Sequence, residues 1–192
     1  MKAIKLPLFV VLLLVSGNVF AQSFLNLDFE ILENGMAKGW RAGGEGYNFS
    51  IDSTGGFVNK NSICIEKSKS GSSKRGGAGI AAAIFPVNEV KRKKIVFSGF
   101  VKTEDVKQGY AGLWWRVDGS EKKVLFFDNM AQRGAKGTED WRQLVIESKI
   151  DDNAVNISYG FLLVGDGKAV FNGLQIEVDG QVYKEGKLPK GK

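Results

Sequence analysis

The chain has 192 residues, of which 25 are glycine and only 3 proline, and it carries a formal net charge of +6. It contains one cysteine and no histidine. A lone cysteine excludes an intramolecular disulfide. The missing histidines exclude histidine-based triads, histidine-paired cysteine nucleophiles and nearly every zinc or iron catalytic centre.

At the start, Lys2 and Lys5 precede the apolar run 6–15, and Val19-Phe20-Ala21 has the form of a small-residue cleavage site. Residues 1–21 are therefore expected to be a secretory signal peptide, and the protein to be exported to the periplasm or the extracellular space. The run is short for a bilayer crossing, so no membrane span is expected once the signal is removed. Residues 22–180 have the size of one domain with a real core, and 181–192 read as a basic, disordered tail. The basic excess in Lys91-Arg92-Lys93-Lys94 and in the last nine residues suits solubility or loose attraction to an acidic surface; nucleic acid is not an expected partner.

In chain order, Leu25, Leu27, Phe29 and Ile31 alternate with Asn26, Asp28 and Glu30, which predicts a first strand with one buried face. Residues 33–46 read as a glycine-rich loop around Trp40. Tyr47, Phe49 and Ile51 predict a second strand, and Ile63 with Ile65 a third, on which Cys64 faces the opposite way. Residues 68–77, rich in serine, lysine and glycine, read as a surface loop. Gly77-Ala78-Gly79 begins a loose dinucleotide fingerprint, but no apolar strand precedes it; residues 80–85 are read as a strand ending at Pro86.

Residues 95–102 are apolar on both faces and predict an interior strand. Residues 110–118 and 124–127 predict a hairpin around Asp118-Gly119-Ser120, and residues 141–146, 155–164 and 169–178 complete about ten strands. Helical periodicity is nowhere sustained. Many short alternating strands in one domain imply an all-β fold, a two-layer antiparallel jelly-roll β-sandwich, because each half-apolar strand needs a second layer to cover it.

Asn26-Leu27-Asp28-Phe29-Glu30 followed by Gly39-Trp40 resembles the opening of the galactose-binding-like jelly rolls that include many carbohydrate-binding modules. From Ser98 to Gly180, the segments SGFVKTEDV, AGLWWRVDG, FDNM, GTEDW and YGFLLVGDGKAVFNGLQIEVDG resemble the small jelly-roll domain attached to bacterial C-terminal-processing peptidase-like and erythromycin-esterase-like proteins. The resemblance implies a jelly-roll module; the catalytic domains of those proteins have no counterpart here. Two residues depart from its pattern: Asn172 stands where an aspartate is usual, and Trp115 where an aliphatic residue or methionine is common.

Strand alternation puts Tyr110, Trp114, Arg116 and Asp118 on one face and Leu113, Trp115 and Val117 on the other, more apolar one. Trp115 is thus expected in the core and Trp114 beside charges. Tyr110, Trp114, Arg116, Asp128 and Asn129 form the candidate ligand site, an aromatic and polar surface suited to a sugar. The alternative for Arg116 is an internal ion pair with Asp128 or Asp140. Trp40 and Trp141 are expected to plug the ends of the sandwich.

Asp28, Glu30, Asn172 and Glu177, from the first and last strands, would offer oxygen ligands to a structural calcium. Carboxylate pairs such as Glu139-Asp140 and Asp151-Asp152 read as solvated turns, so no catalytic residue is expected and the chain is not read as an enzyme. The sequence therefore points to an exported, non-catalytic module for a glycan or other cell-envelope component. The competing reading is a protein-interaction or envelope-associated structural domain without a small ligand.

Overall fold

The computed structural model describes residues 25–69 and 77–184. The expected signal peptide, most of the serine- and lysine-rich loop and residues 185–192 lie outside the described residues. Eleven strands follow in chain order: β1 (Leu32–Glu33), β2 (Met36–Ala37), β3 (Arg41–Gly43), β4 (Tyr47–Asp52), β5 (Ser62–Lys67), β6 (Ala78–Phe85), β7 (Lys94–Asp118), β8 (Val124–Asp128), β9 (Ala135–Lys149), β10 (Asn156–Val178) and β11 (Gln181–Val182). Two single 3-10 turns, Val87–Glu89 and Ser120–Lys122, are the only helical pieces among the described residues.

All pairings are antiparallel, and the fold is a β-sandwich built from one sheet bent over on itself. Strands β7 and β10 are long because each runs through both layers, so four of the expected strands merge into two. Residues 156–164 of β10 lie between β6 and residues 110–118 of β7, whereas residues 168–171 lie between β5 and residues 101–104 of β7. Beyond these, β3 and β8 flank the first layer, and β4 and β9 the second. The bend coincides with register shifts at 164/166 and 166/168, where Gly165 and Gly167 have φ of 82° and 100°. A Cβ on Gly165 would stand 2.3 Å from the Lys107 carbonyl oxygen, so a side chain is excluded where the corner closes.

The core lies between the layers. Trp115 and Phe97 belong to the same strand, yet their rings meet across the core at 5.7 Å; Phe161 and Phe171 of β10 stack at 4.4 Å in the same way. Trp115 also touches Phe85 and Tyr159, and all four aromatic side chains are fully buried. Such a side chain contributes about 1.5–3 kcal/mol by leaving water. Ile63 and Ile65 face this core and Cys64 the other side of β5, as alternation requires; Cys64 is nonetheless buried.

Three expectations are corrected. Residues 25–31 are not a strand: Asn26 and Phe29 have φ of 44° and 60°, and the buried Asn26 amide donates to the carbonyls of Ile31 and Lys38 at 2.9 and 3.0 Å. The apolar residues alternate, but local amide bonding coils the segment so that Phe29 becomes a plug, edge-on to Trp40 at 5.4 Å. Trp141 is not a plug. It lies half-buried on the outer surface of the second layer, stacked on Phe57 at 5.7 Å. Residues 181–183, expected in the tail, are ordered on the domain: β11 pairs with β10, and buried Tyr183 donates its hydroxyl to Glu89 at 2.9 Å. Trp40 does plug the core, with its indole N–H directed at the carbonyls of Leu25 and Asn26.

Candidate functional site

The outer face of the first layer carries the site. Its residues follow from register: Arg41, Ala82, Gly160 and Trp114 form one row across β3, β6, β10 and β7. Ile84, Ser158, Arg116 and Phe127 form the next row, the last of them on β8. Opposed residues of antiparallel strands project to the same side, so these side chains share a surface.

Gly160 shapes the floor. With no side chain at that position, the Trp114 indole lies across β10 and donates its N–H to the Ala81 carbonyl of β6 at 3.3 Å. A Cβ on Gly160 would stand 3.1 Å from the indole nitrogen and 1.9 Å from the Ala81 carbonyl oxygen. The N–H edge of the ring is therefore anchored to the sheet while the residue remains only half-buried. Above it opens a cleft of about 560 Å³, walled by Glu33 of β1, by Lys38 just after β2, by Arg41 of β3 and by Ile84 of β6. The size and mixed chemistry suit a small polar ligand with apolar faces.

The charges of this surface are mostly paired. Lys38 and Glu33 are 3.6 Å apart, and Arg116 contacts Asp118 at 2.8 Å through Nε. Arg41 is exposed and has no ion-pair partner among the described residues.

The expected ligand residues divide into two groups. Trp114 lines the cleft, and Arg116 shares its face in the neighbouring row. The internal pairing considered for Arg116 takes a different partner from those foreseen, since Asp118, two residues on along the same face, is the one within reach. Asp128 and Asn129 are occupied in the turn after β8. Asp128 accepts from the Met130 N–H at 2.9 Å and from Arg133 through its two terminal guanidinium nitrogens, and Asn129 accepts from the Ala131 N–H at 3.2 Å. Burial pushes the Asp128 carboxyl up, but the bonds from Arg133 and Met130 prevail and hold it below its ordinary value. Tyr110 is only 9% exposed, with its ring over Gly112 and Gly134 rather than along the cleft; burial, aided by Asp128, raises its phenol pKa.

The expected calcium ligands do not assemble. Among the described residues no three acidic or cysteine side chains are grouped so as to hold a metal. Asp28 accepts from the Glu30 N–H, and Glu177 from Gln175. Asn172 is fully buried and spends its amide on the 58–62 segment, accepting from the N–H groups of Val58 and Asn59 and donating to the carbonyls of Asn59 and Asn61. An amide both donates and accepts, which an aspartate could not do there, so this residue is an internal clamp.

Lys38, Arg41 and Gly160 were not singled out from the sequence. A three-residue edge strand such as β3 has too little alternation to read, and the register that puts Arg41 in the row of Trp114 crosses three strand boundaries.

No family model matches the chain. A Bacillus subtilis protein described as an uncharacterized HTH-type transcriptional regulator is 36% identical over 101 residues, covering 53% of this chain. The chain spans about a third of that relative's length, 32%. A helix-turn-helix requires two helices, and the described residues contain no α-helix. Among solved structures, a xylan-binding domain of carbohydrate-binding family 22 superimposes with a TM-score of 0.55 at 12% identity, over 85% of this chain and 99% of that one. The CBM22-1 xylan-binding domain of Paenibacillus barcinonensis gives 0.52 at 14%, over 78% and 90%. The enzymatically active domain of a bacteriophage CBA120 tailspike gives 0.56 at 9%, over 82% of this chain and 21% of that one. At these identities the likeness establishes a shared fold, that of carbohydrate-binding modules.

Proposed function

We propose that this chain is an exported, non-catalytic module that binds carbohydrate in the cleft floored by Trp114. The observation that carries the reading is the indole seated against the sheet at Gly160, at the base of an open cleft with cations on its walls. A pyranose presents C–H groups to such a ring and hydroxyls to the surrounding guanidinium, ammonium and serine groups. The fold shared with xylan-binding modules supports the reading, and the basic start and apolar run within residues 1–21, the pattern of a secretory signal, support export. The likeness of residues 98–180 to the jelly-roll domains attached to peptidase-like and esterase-like proteins favours an accessory role for the module.

A glycan array followed by titration of intrinsic tryptophan fluorescence tests this. Binding to at least one glycan, lost in Trp114→Ala with the fold intact, is expected. A folded protein that binds no glycan would turn the account to a protein or envelope partner. For that second reading the motivating observation is the exposure of Ile84 and Phe127, 60% and 53%, on either side of Arg116.

A further inference from the structure

We propose that the cleft selects glycans bearing a carboxylate, that is, uronate-containing chains, and that Arg41 is the residue that reads the charge. This rests on the carbohydrate reading of the same cleft and adds its chemical class. The walls contribute Glu33, Lys38 and Arg41. The first two neutralise each other at 3.6 Å, and Asp118 neutralises Arg116 in the adjoining row at 2.8 Å. One positive charge is left over, and it belongs to Arg41.

Its position suits the task. Arg41 occupies the same cross-strand row as Trp114, and the indole crosses Gly160 toward β6, the strand to which Arg41 is paired. Both residues line the same cleft, so a sugar ring on the indole shares that cleft with the guanidinium. Guanidinium and carboxylate match as planar two-point partners, and a charge-assisted bond of this kind is about twice as strong as a neutral one. Neutral sugars would retain the stacking contact and lose this bond.

The test compares each acidic polysaccharide in a panel of pectate, alginate and glucuronoxylan with its own carboxyl-reduced form, by affinity electrophoresis or calorimetry. The wild-type protein is expected to bind the acidic form roughly tenfold more tightly, as one charged hydrogen bond implies. Arg41→Gln is expected to abolish the preference, so that the acidic and the carboxyl-reduced forms bind this variant with equal affinity. Arg41 is exposed on a three-residue edge strand, so this variant should fold. Lys60→Gln removes the same charge from the exposed loop on the second layer and should keep the preference.

Equal binding of acidic and reduced forms overturns the selectivity and leaves carbohydrate binding standing. A preference that Arg41→Gln leaves intact, or that Lys60→Gln lowers equally, overturns the role of Arg41 and assigns the effect to the overall charge of +6. Stronger binding to dextran sulfate than to any uronate overturns carboxylate recognition in favour of sulfate. Failure to bind any acidic or neutral glycan removes the carbohydrate reading together with this one.

Discussion

Two adjacent tryptophans show how far one peptide step changes a residue's role. Trp115 is fully buried among Phe85, Phe97 and Tyr159, whereas Trp114 lies half-buried on the cleft floor. Trp115→Ala is expected to cost roughly 3–5 kcal/mol in denaturant melts, because a rigid core closes only partly over the lost volume. Trp114→Ala removes one hydrogen bond and some half-buried surface, so a loss of about 1–2 kcal/mol is expected. If the melts rank the two the other way, the faces of β7 are inverted. This division was legible in the sequence because strand alternation needs only neighbours. The fate of Asp128 and Asn129 was not, because both are consumed by a turn whose clamp, Arg133, is recognisable only once the chain is folded.

At the scale of elements, β10 holds the site together. It contributes Ser158 and Gly160 to the cleft face, and Phe161 and Phe171 to the core. Gly160→Ala would place a methyl group against the Ala81 carbonyl oxygen and the indole nitrogen. The expected outcome is a loss of roughly 1–3 kcal/mol by overpacking, together with weaker glycan binding as the indole is lifted from the sheet. Unchanged stability and affinity in paired melts and titrations would show that the indole does not depend on this glycine. The pattern of residues 25–31 misled for an instructive reason: alternation records polarity, and a coil packed through Leu25 and Phe29 can carry the same polarity as a strand. Nothing in the pattern announces the left-handed φ values of Asn26 and Phe29.

Across the whole molecule, β7 and β10 traverse both layers, so neither layer can separate without breaking the pairing that the other shares. Thermal or denaturant unfolding is therefore expected to be a single transition, with far-ultraviolet dichroism and tryptophan fluorescence coinciding. Separate midpoints would mean that one layer melts alone. The all-β class, the burial of Trp115 and the hairpin after Asp118 were determined by the sequence itself, because period-two polarity and turn residues act over a few neighbours. Only the tertiary structure decided that four expected strands are two bent ones, that Asn172 is a clamp and that Arg41 lies in one row with Trp114. Those features depend on register and closure between segments far apart in the chain, and local polarity carries no record of which distant strand becomes the neighbour.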